Sequence, residues 1–344
     1  MDARREQRPR DRRGRPLRDL RVSVTDRCNF RCGYCMPRDV FGADHAFLPR
    51  EELLSFEEIA RVVRACAALG VRKVRITGGE PLLRHDLERL VGMVAAVPGI
   101  DDVAMTSNGA LLAPAAGRLR AAGLHRVTVS LDSLDPEVFA AMADTKVPLA
   151  QVLDGIAAAA EAGLSPVKVN AVVKRGVNEA GALDLVSWAR ANGHVLRFIE
   201  YMDVGTTNGW RLDDVVPAAE LLDRIAAEHH LEPVESAYAG EVARRYRYAD
   251  GGPPGEIGFI TSVTQPFCGS CSRARLTAVG ELYACLFAVR GHDLRALLRG
   301  GASDDELAGA VAAAWAVRDD RYSEVRAAAT PGGEAKAEMS YLGG

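Results

Sequence analysis

No run of apolar residues in this 344-residue chain approaches the length needed to span a bilayer, and no secretory apolar segment follows the N-terminus. Charge of one sign is not in excess either. Lys and Arg number 43 against 46 Asp and Glu, a net charge of −3, so the chain as a whole has no field that would draw it to nucleic acid. There is no Gly-x₄-Gly-Lys-Ser/Thr loop, so any triphosphate it binds is not held by a P-loop. Internal repeats and low-complexity segments are missing, apart from a richness in alanine. Cysteine is scarce and odd in number, seven in all. The odd count leaves at least one thiol unpaired, and without a secretory segment structural disulfides are not expected, which predicts a cytoplasmic protein with ligating or reactive thiols.

What is present begins with nine arginines in the first 21 residues, mixed with four acidic residues. The spacing predicts a flexible basic tail over 1–19. From residue 20 strand-like and helix-like segments alternate. Strands are expected at 20–24, 71–76, 103–106, 127–131, 167–173 and 195–199. Helices are expected at 56–69, 87–97, from Asp135-Pro136, from Pro148 to Gly163, and up to Gly193. Ser55 and Glu58 form a capping box, and Asp135-Pro136 an N-cap followed by an N1 proline. Six such units predict an α/β fold: a partial (β/α)₆ TIM-like barrel, open on one side, with the loops after the strands on one rim. One more helix is expected over 217–228. Beyond it, runs at 231–236, 244–248, 257–260 and 275–278 predict antiparallel strands, followed by helices from about Asp293 and Asp304. That predicts a barrel over 20–235 and a C-terminal α+β region over 236–344 covering the open side.

Six of the seven cysteines form two clusters. Cys28-Asn-Phe-Arg-Cys32-Gly-Tyr-Cys35 directly follows the first strand. Three thiolates at this spacing can hold three irons of a 4Fe-4S cubane, which would normally take four. The fourth iron is then open, and a ligand with an amine and a carboxylate, such as the amino-acid end of S-adenosylmethionine, can chelate it. A zinc site lacks a local fourth ligand. The second cluster is Cys268-Gly-Ser-Cys271 with Cys285. By itself it fits either a second cubane with one open iron or zinc with His292. Cys66 falls on an apolar helix face and is expected in the core.

Other rim positions carry weaker signals. Thr77-Gly-Gly-Glu80-Pro81 follows the second strand; its glycines allow a close backbone approach, and the Glu80 carboxylate can pair with an ammonium. Ser130 ends the fourth strand and Met202 follows the sixth. Arg21, Arg75, Lys168, Arg273 and Arg275 lie on or beside expected strands, where an unpaired cation is costly unless it faces a ligand. Together they predict an anionic substrate.

The runs Arg21-Val-Ser-Val-Thr-Asp-Arg-Cys28…Cys35-Met-Pro37, Arg75-Ile-Thr-Gly-Gly-Glu-Pro81, Phe198-Ile-Glu-Tyr-Met202 and Cys268-Gly-Ser-Cys-Ser-Arg-Ala-Arg275 resemble the radical S-adenosylmethionine superfamily and, within it, the GTP 3′,8-cyclase (MoaA) family of molybdenum cofactor biosynthesis. The resemblance implies two 4Fe-4S clusters and S-adenosylmethionine as cofactors. It implies hydrogen abstraction from C3′ of GTP, bond formation to C8, and the product (8S)-3′,8-cyclo-7,8-dihydroguanosine 5′-triphosphate. Carried over residue by residue, it assigns Tyr34, Gly79, Ser130 and Met202 to S-adenosylmethionine. It assigns Arg21, Arg75, Thr106, Lys168, Arg273, Ala274 and Arg275 to GTP. Arg21, Arg273 and Arg275 would support the later radical steps, and the terminal Gly343-Gly344 would enter the active site. An outside electron donor, a homodimer and hand-off to a cyclic pyranopterin monophosphate synthase are implied too, with no nucleic-acid or membrane partner. The segment Arg38 to Phe47, with Phe41 and His45, departs from the family pattern. Two other readings remain beside this one: a peptide-modifying radical enzyme with an auxiliary cluster, and a zinc-binding scaffold.

Overall fold

The computed structural model describes residues 8–238, 240–326 and 336–343. Its centre is a parallel run of six strands: β1 (Asp19–Ser23), β2 (Lys73–Thr77), β3 (Asp102–Ser107), β4 (Arg126–Ser130), β5 (Lys168–Val173) and β6 (Val195–Glu200). The connecting helices are α1 (Phe56–Ala68), α2 (Leu87–Ala95), α3 (Ala116–Ala121), α4 (Pro136–Ala143), α5 (Leu149–Glu161) and α6 (Ala182–Ala191), followed by α7 (Ala218–Ala226). The start signals act as expected. The Ser55 hydroxyl accepts from Glu58 N–H while the Glu58 carboxylate takes the Ser55 N–H, and Asp135 caps α4.

The C-terminal strands depart from expectation. β7 (Leu231–Val234), β8 (Arg244–Tyr248) and β9 (Glu256–Ile260) form an antiparallel meander, but β9 joins β6 in parallel. β10 (Arg273–Leu276) joins β1 in parallel at the opposite edge, and β11 (Glu281–Tyr283) and β12 (His292–Asp293) follow it. The result is one open twelve-stranded sheet, with β12 and β7 at its edges. An all-antiparallel reading of the C-terminal strands therefore fails at β9 and β10. A strand's own residues do not specify a partner far along the chain. A division at 235 also separates β7 from its hairpin partner β8. Helices α8 (Arg295–Arg299), α9 (Asp304–Ala316), α10 (Tyr322–Val325) and α11 (Met339–Leu342) complete the chain, and α9 lies against α1.

Residues 8–19 are not a loose tail. Asp11, Arg15 and Leu17 are buried, and Arg15 pairs with Asp11 at 2.5 Å. The charges that read as solvated are neutralised by one another and by Arg318 (3.1 Å to Asp11). The segment over 38–47 consists of turns and irregular backbone in which buried Phe41 packs at a tilt against His45, itself edge-on to Phe47.

Strand alternation sorts the two faces of the sheet. Leu20, Val22, Val74, Ile76, Val169, Leu196 and Phe198 enter the apolar core beneath the helices. Their neighbours Arg21, Lys73, Arg75, Arg126, Thr128, Lys168, Asn170 and Arg197 face the interior. Strands buried on both faces are usually apolar throughout. Here one face is polar, so the barrel interior is a site and not a packed centre.

Candidate active site

The interior is a cavity of about 450 Å³, and both cysteine triads line it. The first triad sits on the loop after β1. Gly78 and Gly79 come close to that loop: Gly79 N–H donates to Thr25 O at 2.8 Å and Glu80 N–H to Arg27 O at 2.8 Å. A Cβ on Gly79 would lie 2.2 Å from Arg27 O, so glycine is needed there by the cysteine loop itself.

Glu80 is buried, and protein donors occupy both its oxygens. Ser107 Oγ and Leu82 N–H donate to one at 2.9 and 3.0 Å; Asn108 N–H donates to the other at 2.7 Å. Burial pushes its carboxyl up to about 7 against those bonds. Glu80 therefore ties the β2 loop to the end of β3 while it lines the cavity, and Oε2, which takes one donor, keeps an acceptor site. Asn108 in turn donates to Asn29 at 2.7 Å and reaches the Cys28 Sγ at 3.8 Å. Tyr34 is pinned through its hydroxyl, which donates to Asp132 at 2.7 Å.

The two triads differ electrostatically. Burial raises the Cys28 thiol to about 11 and the Cys35 thiol to about 12, and burial with Cys35 nearby raises Cys32. At the second triad burial also acts upward, and Cys285 reaches about 11. At Cys271, however, Arg273 and Arg318 outweigh burial and bring the thiol down to about 6. Arg273 Nη2 lies 3.6 Å from the Cys271 Sγ.

A single metal ion needs ligand atoms converging within about 2.0–2.3 Å of one point. Each triad offers three thiols, one fewer than the four protein ligands of a structural zinc site. A cubane spreads its ligands over several corners, and three grouped thiols that leave one iron open suit it. The donor sets therefore fit two 4Fe-4S clusters.

Arg21, Arg75, Lys168, Arg273 and Arg275 all line the same cavity. Register brings them together: Arg21 lies between Arg275 and Arg75 across β10, β1 and β2. Arg75 Nη1 donates to Thr106 and Thr128 at 3.0 Å each, so Thr106 orients an arginine. Burial, then Arg197, Arg126 and Arg75, push Lys168 down to about 7. Burial and then Arg75 push Lys73 down to about 8. Arg21 is lowered by burial, then by Arg275, Arg273 and Arg75. Arg275 is only 2% exposed, and its Nε and Nη1 have no hydrogen-bond partner among the described residues; Arg273, Arg126 and Arg197 each leave Nε unpaired as well. Arg126 is paired with Asp102, but a cluster of buried and half-buried, mutually repelling cations with unpaired donors is the complement of a polyanion.

Gly79, Ser130 and Met202 also line the cavity beside Tyr34. Ala274 does not join them. Its side chain points the other way from Arg273 and Arg275, into the apolar core, which leaves only its backbone on the strand between them. Gly344 lies outside the described residues. Gly343 is buried with φ +70°, and an added Cβ would meet Thr77 Oγ1 at 2.0 Å. The stretch before it is clamped by Glu338, which accepts from Thr206 N–H and Thr207 Oγ at 2.9 and 2.8 Å, and Leu342 is buried. Sequence reasoning missed Lys73, Arg126, Arg197 and Asp132; charged residues alternating along β-type runs were the available signal.

Comparison with known proteins gives the family. The radical SAM superfamily matches residues 22–189, and the family described as Molybdenum Cofactor Synthesis C matches 194–324. A GTP 3′,8-cyclase of Acidothermus cellulolyticus is 55% identical, the match covering 97% of this chain and 99% of that one. One from Xanthomonas axonopodis pv. citri is 53% identical over 97% and 98%. Among solved structures, Streptococcus suis SuiB bound to S-adenosylmethionine shares the fold, with a TM-score of 0.58 at 16% identity, over 87% of this chain and 68% of that one.

Proposed function

The chain belongs to the GTP 3′,8-cyclase family of radical S-adenosylmethionine enzymes, and from that premise we propose how its own residues convert GTP to (8S)-3′,8-cyclo-7,8-dihydroguanosine 5′-triphosphate. The observation that carries the reading is a single cavity shared by two cysteine triads and a set of under-bonded cations. When bound, the first cluster supplies one-electron reduction of S-adenosylmethionine and hence hydrogen-abstracting power, and the second supplies an open iron for the guanine base.

Cys28, Cys32 and Cys35 hold the first cluster; Cys268, Cys271 and Cys285 hold the second. Tyr34, Gly79, Ser130 and Met202 orient S-adenosylmethionine, with Asp132 fixing the Tyr34 ring. Arg75, Lys168 and the neighbouring Lys73, Arg126 and Arg197 take up the triphosphate. Thr106 acts through Arg75. Arg21, Arg273 and Arg275 hold positive charge where the purine is reduced after the ring closes, and Gly343 closes the rim beside Thr77. Burial excludes water, which would otherwise screen the cations.

The same reading asks for an outside one-electron donor and passes its product to a cyclic pyranopterin monophosphate synthase; it includes a homodimer. A cytoplasmic location is supported by seven cysteines that are all free thiols. The test is an anaerobic reaction of reconstituted protein with reductant, S-adenosylmethionine and GTP deuterated at C3′. Deuterium should appear in 5′-deoxyadenosine, in step with the cyclised nucleotide. Cleavage of S-adenosylmethionine that leaves GTP and its label untouched would overturn the reading.

A further inference from the structure

The N-terminal segment reaches the second cysteine cluster through a buried charge triad. The Asp11 carboxylate accepts from Arg15 Nε at 2.5 Å and from Arg318 Nη1 at 3.1 Å. These side chains are 0%, 2% and 2% exposed. Both guanidiniums also donate to the backbone of the cluster loop. Arg15 Nη1 reaches Cys268 O at 2.7 Å and Asp320 O at 2.9 Å, and Arg318 Nη1 reaches Cys271 O at 2.8 Å. Arg318 lies over Trp315 at 4.5 Å, and the Trp315 indole donates to Arg15 O at 3.0 Å. Arg15 Nη2 and Arg318 Nε make no hydrogen bond among the described residues, and Arg318 Nε lies 4.0 Å from the part-exposed Asp320 carboxylate.

Stability alone does not explain this arrangement. Two cations and one anion out of water cost more than apolar side chains of the same volume, and two donors stay unpaired. What the triad does supply is two buried guanidiniums against one buried carboxylate, offset only by the part-exposed Asp320 at 4.0 Å from Arg318, and two fixed carbonyls at Cys268 and Cys271. A cluster's reduction potential responds to nearby charge and to the set of its ligands.

We propose that Asp11, Arg15 and Arg318 are positioning residues for the second cluster, fixing the carbonyls of two of its cysteines and holding net positive charge that raises its reduction potential. The inference rests on the reading that Cys268, Cys271 and Cys285 hold that cluster. Positive charge favours the reduced, more negative cluster. Loss of the Arg318 charge should therefore lower the potential and loss of the Asp11 charge should raise it. A purely structural triad would give neither opposite signs nor rescue by lysine.

The experiment uses the full chain with Cys28, Cys32 and Cys35 all changed to Ala, reconstituted anaerobically so that only the second cluster remains. Iron and sulfide are counted, and the midpoint is read by potentiometric electron paramagnetic resonance. Arg318→Gln should cut the reduced-to-oxidised ratio at fixed poise about tenfold, which is about 59 mV for one electron. Asp11→Asn should move the midpoint the other way, and Arg318→Lys should stay near the parent. Should Asp11→Asn fail to fold, the Gln and Lys forms of Arg318 decide alone. Equal midpoints for those two forms, or shifts of one sign for Arg318→Gln and Asp11→Asn, overturn the inference. A parent without iron and sulfide overturns the cluster assignment itself, and the inference with it.

Discussion

Lys168 gives the sharpest quantitative prediction. Its ammonium ordinarily titrates at 10.5, and burial with Arg197, Arg126 and Arg75 brings it down to about 7 in the unliganded fold. The unfolded chain therefore holds more protons than the folded one between about pH 7 and 10.5. Stability must rise with pH across that window, because its slope follows the protons bound by the unfolded state minus those bound by the folded state. Below pH 7 both states carry the proton and the penalty is complete. At pH 7 it is about 4 kcal/mol, from a gap of some 3.5 units at about 1.36 kcal/mol each less the partial neutralisation already reached. Lys168→Met keeps the stem and discards the charge, so it should stabilise the unliganded protein by about 2–4 kcal/mol at pH 7 and flatten its pH slope. Urea unfolding of the reduced protein at pH 7 and 8.5 measures both. GTP should restore the proton. Binding near pH 7 should take up about half a proton at Lys168, seen by calorimetry in buffers of different ionisation heat, and should weaken at higher pH. Lys73, held near 8, adds a second uptake step. An unaltered or lowered stability in Lys168→Met, with proton uptake on GTP binding unchanged, would refute the account of an under-neutralised cation cluster.

Replacing Cys28, Cys32 or Cys35 by Ala should abolish S-adenosylmethionine cleavage, measured as 5′-deoxyadenosine, whereas replacing Cys268, Cys271 or Cys285 should leave much of the first cluster's absorption and stop cyclisation. Gly79→Ala drives a Cβ to 2.2 Å from Arg27 O. The cysteine loop must shift, so iron content should fall and stability drop by about 1–3 kcal/mol, the usual range for a close-packed position. Gly343→Ala meets both a φ of +70° and the Thr77 hydroxyl; turnover should fall at least tenfold while the thermal midpoint of the bulk fold moves little, and an unchanged rate would return the segment to a passive terminus.

Much of the barrel was legible because each unit is local. Ile59, Val62, Val63 and Cys66 repeat at helical spacing and are all buried in α1, and Ser55 starts that helix with its own side chain. The cysteine motifs were legible because their spacing is itself chemistry. Less legible were features made by contact between distant segments. Glu80 reads as a free carboxylate until β3 brings Ser107 and Asn108 to it. Residues 8–19 read as a charged tail because the neutralising Arg318 stands some 300 positions away.

Sequence by itself determined the strand–helix alternation, the two three-cysteine clusters and the excess of cations along the strands, since each depends on neighbouring residues or short spacing. Only the tertiary structure decided that β9 and β10 extend the parallel sheet at its two edges, and that this brings Cys268, Cys271, Arg273 and Arg275 into the cavity of Cys28. It alone turned Ala274 away into the core and seated Asp11 beneath the second cluster. Register and long-range pairing are set by how whole surfaces bury, and no short stretch of chain carries that information.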